Sequence, residues 1–192
     1  MQRFGAALLL AQTTHYPSES LDADSWHPAE RRHNKRLSQT GARYGEPMPY
    51  GLSPEEIEWV RESYRMFREG DPAFMERYAP DARFSFPTTL PAGGTYEGPF
   101  EAMEYFTTIG ELFEGASPTP EEFLRIEDRL IVFGTFRGRS RQTGEEIALR
   151  FMHSFRMSGE GATLTEQKTV SFELFTDTAA VLRALGRSAS DE

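Results

Sequence analysis

A chain of 192 residues with 38% hydrophobic residues, no cysteine and a formal net charge of −9 has room for one domain and some chain outside its core. The negative balance argues against nonspecific nucleic-acid binding, and the missing cysteines exclude disulfides, thiolate catalysis and cysteine metal sites. No run approaches the roughly 20 apolar residues that a membrane span requires, so no membrane partner is expected.

Phe4 to Ala11 is a short apolar stretch behind one basic residue, Arg3. It lacks a small-x-small cleavage site and is read as an apolar N-terminus rather than a signal peptide, which places the chain in the cytoplasm. The following segment holds Pro17, Pro28 and Pro47, a basic cluster at Arg31, Arg32, His33, Lys35 and Arg36, and no sustained apolar period. Residues 1–47 are therefore expected to be a disordered extension, with Met48 as an alternative start. His15, His27 and His33 lie there at spacings that match no helical ligand pair, so no metal is expected. This segment carries six Lys/Arg and five Asp/Glu against 15 and 25 in the rest of the chain. The acidic surface therefore belongs to a folded domain over residues 48–187, followed by a tail at 188–192.

That domain opens on a strong helix signal. Ser53-Pro54-Glu55-Glu56 supplies a cap residue, a proline at the first helical position and Glu at the third, with Leu52 and Ile57 placed as a hydrophobic staple. Ile57, Val60, Tyr64 and Phe67 form one apolar stripe, and Gly70 ends the helix. Asp71-Pro72 starts a second, shorter helix carrying Phe74, Met75 and Tyr78, which Pro80 stops. Ala82 to Phe86 alternates as a strand, Thr88 to Gly98 reads as a loop, and a third helix is predicted from Pro99 to Phe113 with Phe100, Met103, Phe106, Ile109 and Phe113 on one side. Gly115 to Pro120 reads as another loop.

From Phe123 the apolar period becomes two. A short strand near Phe123–Glu127 is followed by long strands at Leu130–Arg141, Glu146–Met157 and Thr163–Phe175, joined as hairpins by Thr143-Gly144 and by the turn at 158–161. Asp177 caps a last short helix, Thr178–Leu185. Helices first and a meander afterwards predict an α+β domain: a cone-shaped, curved antiparallel sheet with N-terminal helices enclosing a pocket.

Alternate side chains point to opposite sides of a strand. Leu130, Val132, Gly134, Phe136 and Gly138 share one side of their strand, and Ile147, Leu149, Phe151, His153, Phe155 and Met157 share one side of the next. Val170, Phe172 and Leu174 do so in the last strand, while arginines occupy the opposite faces. His153 is the one polar residue in the apolar set and the only histidine of the domain. It is either a core histidine satisfied by a backbone carbonyl or by Tyr64, or the polar handle of a ligand pocket, where an imidazole can donate, accept or exchange a proton. Tyr64 and Tyr78 read first as core aromatics with a wet hydroxyl, Asp177 as a helix cap, and Glu127-Asp128 as a solvated turn. No phosphate-binding glycine loop, zinc-protease motif or nucleophile elbow is present.

Several short motifs in a fixed order are similar to the SnoaL-like branch of the nuclear-transport-factor-2-like superfamily. They are the Tyr64-to-Asp71 helix end, Tyr78-Ala79-Pro80-Asp81 before a Phe-rich strand, and Tyr96-Glu97-Gly98-Pro99-Phe100 opening the third helix. The Phe151-to-Phe155 strand and the closing Phe175-Thr176-Asp177-Thr178-Ala179-Ala180 complete the set. The resemblance implies a cavity between sheet and helices and a homodimer formed through the outer sheet face. It implies less about activity, because this fold serves cyclases, isomerases, epoxide hydrolases and non-catalytic modules alike. Gly134, Phe136 and Leu174 stand where limonene-epoxide-hydrolase relatives carry an Arg-x-Asp pair and a further Asp. Phe175 replaces a common tyrosine, and no carboxylate falls on the inner faces for a ketosteroid-isomerase-type reaction.

The expected function is accordingly the binding of a small hydrophobic molecule without cofactor or metal. The candidate ligand contacts are Tyr64, Tyr78, Phe84 and Phe106 from the first half, with Phe136, Phe151, His153 and Phe172 from the long strands. The alternative is a cofactor-free isomerase or cyclase acting on a hydrophobic carbonyl compound by proton transfer, with His153 as the catalytic acid or base and Tyr64 or Tyr78 polarising the oxygen. An open space of a few hundred cubic ångströms beside His153 would favour a small-molecule role. Occupation of that space by Phe84, Phe106 and Phe136 would favour a structural one.

Overall fold

A computed structural model describes residues 51–161 and 163–187. The N-terminal extension, its histidines and basic cluster, and the tail at 188–192 lie outside the described residues. Helix α1 spans Pro54–Glu69. Its start is a reciprocal capping box: Ser53 Oγ accepts from the Glu56 N–H and Glu56 accepts from the Ser53 N–H. Gly70 closes it in the left-handed conformation. Asp71 caps a single 3-10 stretch, Pro72–Arg77, and the chain then enters β1, Tyr78–Phe86.

β1 begins four residues earlier than the sequence suggests and runs through Pro80. The strand tolerates this proline because its parallel register skips from Tyr78 to Arg83 and its pairing with β2, Gly94–Glu97, begins only at Arg83. Pro80 therefore breaks no ladder hydrogen bond. Helix α2, Gly98–Leu112, follows directly. Gly98 has φ of +79°, and a Cβ there would lie 2.6 Å from the Pro80 carbonyl oxygen, so only glycine makes this strand-to-helix corner.

The buried side of α2 differs from expectation. Pro99, Ala102 and Tyr105 are buried, with Phe106 and Ile109 half-buried, whereas Phe100 is 69% exposed. The fully buried Ala102 lets the helix approach β1 closely, and Tyr105 stacks on Phe86 with ring centres 3.7 Å apart.

β3 is one long strand, Phe113–Ile126, so the predicted loop at 115–120 is strand. Its Gly115, Pro118 and Pro120 suggest a loop in the sequence, but β3 is the last strand of the order β2-β1-β6-β5-β4-β3, and an edge strand tolerates proline on its unpaired side. β4, Arg129–Ser140, and β5, Glu146–Met157, match their expected extents to within a residue. β6 starts later than expected, at Thr169. Thr163 and Glu166 form a second capping box around a 3-10 turn, Leu164–Glu166, which buries Leu164.

The six strands form one curved, unclosed sheet. Four pairings are antiparallel; β1 and β6 are parallel, which corrects the purely antiparallel expectation. The register sets Val132 opposite His153 and His153 opposite Leu174, so one face carries the apolar rows and α1 and α2 pack over it. Glu56 ties this lid together by accepting from the Arg125 guanidinium at 2.8 Å and from the Leu164 N–H at 3.1 Å. Helix α3, Thr178–Ala184, is capped by Asp177, whose Oδ1 accepts from the Ala180 N–H at 2.9 Å. Asp177→Ala should cost about 1 kcal/mol in urea unfolding, without effect on the cavity chemistry.

Candidate functional site

β5 carries the centre of the site. Its inward row places His153 between Phe151 and Phe155, and the imidazole stacks on the Phe151 ring at 4.1 Å between centres. Phe172 of β6 meets it edge-on at 5.0 Å. From α1, the Tyr64 hydroxyl comes within 2.7 Å of His153 Nδ1. Tyr64 thus satisfies one ring nitrogen, and the ring also borders open space.

Donor and acceptor accounting assigns the tautomer. The Tyr64 oxygen has no other hydrogen-bond partner among the described residues, so its proton is satisfied only by donating to Nδ1. Nδ1 is then the acceptor and Nε2 carries the N–H, for which no partner exists among the described residues. Burial among apolar rings penalises the imidazolium and pushes the His153 pKa down to about 3. The ring is uncharged at neutral pH. Burial likewise raises the Tyr64 and Tyr78 phenols far above their ordinary value, so both keep their protons.

Two cavities meet at His153. The larger, of about 130 Å³, lies between the sheet and α2. Phe86, Phe106, Phe136, Phe151, Phe172 and Leu174 are prominent in its lining, and Arg68 and Thr107 contribute polar groups. The smaller, of about 60 Å³, lies under α1 and is lined by Ser63, Tyr64, Phe74, Tyr78 and Phe155. Phe67, Phe106, Pro118, His153 and Phe172 border both. No carboxylate lines either space, and no cluster of three metal-ligating side chains occurs among the described residues.

Of the eight residues expected from sequence, seven border a cavity: Tyr64, Tyr78, Phe106, Phe136, Phe151, His153 and Phe172. Phe84 does not. It is fully buried between Tyr78, Phe86 and Phe172 and belongs to the core, because the parallel β1–β6 pairing sets it directly opposite Phe172. The larger space also falls short of the few hundred cubic ångströms anticipated. Sequence reasoning missed Phe86, Leu90, Tyr105 and Val181, all in the lining. Phe86 was visible as the same-face neighbour of Phe84. Tyr105 was hidden by the wrong choice of helix face.

A family model described as a SnoaL-like domain matches residues 60–164. Among solved structures, the chain is similar to a nuclear-transport-factor-2-like protein of unknown function from Burkholderia pseudomallei K96243, at 28% identity and TM-score 0.60, over 69% of this chain and 98% of that one. It is similar to TerC, crystallised with polyporic acid, at 27% identity and TM-score 0.58, over 68% and 97% of the two chains. At 19% identity and TM-score 0.54, over 68% and 97%, it shares its fold with IdmH, a putative polyketide cyclase from Streptomyces antibioticus. Among curated proteins, none matches. The matched segment covers more than half of the chain and runs from within α1 through β5, so this chain belongs to the SnoaL-like domain family.

Proposed function

We propose that the domain binds a small hydrophobic molecule of one or two rings in the larger cavity, oriented by the neutral imidazole of His153. The observation that carries this reading is an apolar space of about 130 Å³ with a single ring N–H left unspent on its wall. A cavity near this size, lined by apolar side chains, stays dry and takes up benzene. The likeness to TerC, solved with polyporic acid, supports an aromatic ligand. The alternative, proton transfer by His153, is weakened by its pKa of about 3, because a general base works best with a pKa near the operating pH.

Calorimetric titration and thermal shift with single-ring and fused two-ring aromatics test the proposal. At least one compound should bind saturably and raise the melting temperature, and Ala116→Phe, which fills the cavity from β3, should abolish that binding. No stabilisation by any member of the set, or unchanged binding by the filled variant, would refute it.

We infer further that two copies pair through the outer sheet face. Phe133, Met152 and Phe175 stand in register across β4, β5 and β6, and Phe175 is 49% exposed. This apolar row crosses a face where Arg150 pairs with Glu121 and Glu122, and Arg156 with Asp128. Sedimentation velocity should give a dimer that Met152→Arg converts to a folded monomer; a monomeric wild type would refute the pairing.

A further inference from the structure

The smaller cavity contains a polar group that the binding reading leaves unused. Tyr78 is 7% exposed and packed against the Phe74 and Phe84 rings. Its hydroxyl has no hydrogen-bond partner among the described residues. The side chain is buried but the oxygen is not among the sealed, unpaired atoms of the described residues, so it faces accessible space on the cavity wall, where something else can supply its partner. Tyr64, beside it, has already spent its proton on His153 Nδ1. That leaves two donors without a partner: the Tyr78 O–H from β1, on the wall of the smaller space, and the Nε2–H of His153 from β5, a residue that borders both.

We propose that the smaller cavity seats the oxygen of an uncharged carbonyl, as in an aryl ketone or a quinone, accepting from Tyr78 and His153 while the ring lies in the larger cavity. This rests on the small-molecule reading above and names the ligand class. Three features select it. The two spaces share five lining residues, His153 among them, so a ring in the larger would have the smaller as its immediate neighbour. The smaller space, about 60 Å³, exceeds the roughly 10–15 Å³ a single water needs and accommodates a carbonyl group. Both unspent groups can donate and the imidazole N–H can only donate, so an acceptor oxygen satisfies both at once, whereas an amine or ammonium would leave the imidazole N–H unmet. An anionic oxygen would enter an apolar chamber with no cation in its lining, at a heavy desolvation cost.

The test is a pair of matched probes, acetophenone and α-methylstyrene, which have nearly the same shape and differ by C=O against C=CH2. Wild-type protein should bind acetophenone about tenfold more tightly, the ratio that two modest hydrogen bonds give together. Tyr78→Phe should reduce the ratio to about threefold or less and leave α-methylstyrene affinity unchanged. Without ligand, the same variant should melt no lower than wild type, since its hydroxyl loses no partner. Equal wild-type affinities, a preserved tenfold ratio in the variant, or a lowered melting temperature would each overturn the assignment. Binding of both probes without discrimination leaves the binding reading standing and removes only the carbonyl seat; binding of neither probe removes the carbonyl seat, and the wider aromatic set then decides the binding reading.

Discussion

Gly134→Ala is expected to destabilise the domain by about 2–3 kcal/mol, the upper part of the range for forcing volume into a packed core. Gly134 lies on β4 opposite Phe151 and beside the bulge at Pro120 of β3. A Cβ there would stand 2.2 Å from the Thr119 carbonyl oxygen and 2.5 Å from the Phe151 ring. The first obstacle is backbone and cannot turn aside. The second is the ring on which His153 stacks, so the change should also displace the imidazole and weaken ligand binding. Gly110→Ala is the control. This helical position has nothing within 4 Å of a new Cβ, so the substitution should stabilise α2 by about 0.5–1 kcal/mol. Denaturant melts of the two variants check both signs; a neutral Gly134→Ala would show that the sheet is looser here than described.

The second large effect is in pH. His153 has a folded pKa of about 3 against 6.5 for the free side chain. Below about pH 6.5 the unfolded chain takes up a proton that the folded domain refuses, so stability falls as pH falls, by up to about 1.4 kcal/mol per unit. The loss ends only near the folded pKa. Glu56, Glu121 and Asp128 act in the same direction at lower pH. For Glu56, burial alone would raise the pKa, but the Ser53 and Leu164 N–H groups overcome it; Thr135 and Arg150 lower Glu121, and Arg156 lowers Asp128. These carboxylates lose their contribution below their ordinary range near 4, so the window from pH 6.5 to 5 isolates the histidine. Between those values wild type should lose about 1–2 kcal/mol relative to His153→Phe. Tyr64→Phe should cost about 1–2 kcal/mol by leaving Nδ1 unsatisfied, and much less when His153 is already Phe. Parallel stability profiles for wild type and His153→Phe would contradict a buried neutral ring.

Much of this was legible because the long strands keep strict alternation. Phe151, His153 and Phe155 were assignable to one face before any coordinates, and that phase placed Phe136 and Phe172 beside them. Tyr64 was reachable because the capping box at Ser53 fixed the helical register of α1. What failed depended mostly on tertiary context. The prolines of β3 carry the composition of a loop, and only the sheet order shows that they sit on an edge. Hydrophobicity chose Phe100 over Ala102 on α2, whereas close approach to β1 rewards the smaller side chain. The parallel β1–β6 contact joins segments some ninety positions apart, and it alone sends Phe84 into the core and Tyr78 to the cavity wall. Thr163-Leu164-Thr165-Glu166 carried its own capping signature and was covered by an over-extended strand.

The decisive measurement is the pair of His153 ring nitrogen resonances, followed by proton–nitrogen correlation from pH 7.5 to 5 with His153→Phe as the assignment control. A hydrogen on Nε2, a bare Nδ1 and no titration over that range would establish an uncharged ring held by the tyrosine of α1 and free to donate into the apolar space. Conversion of both nitrogens to the protonated form with a midpoint near 6.5 would mean that water reaches the ring freely, and the enclosed binding site described here would not exist.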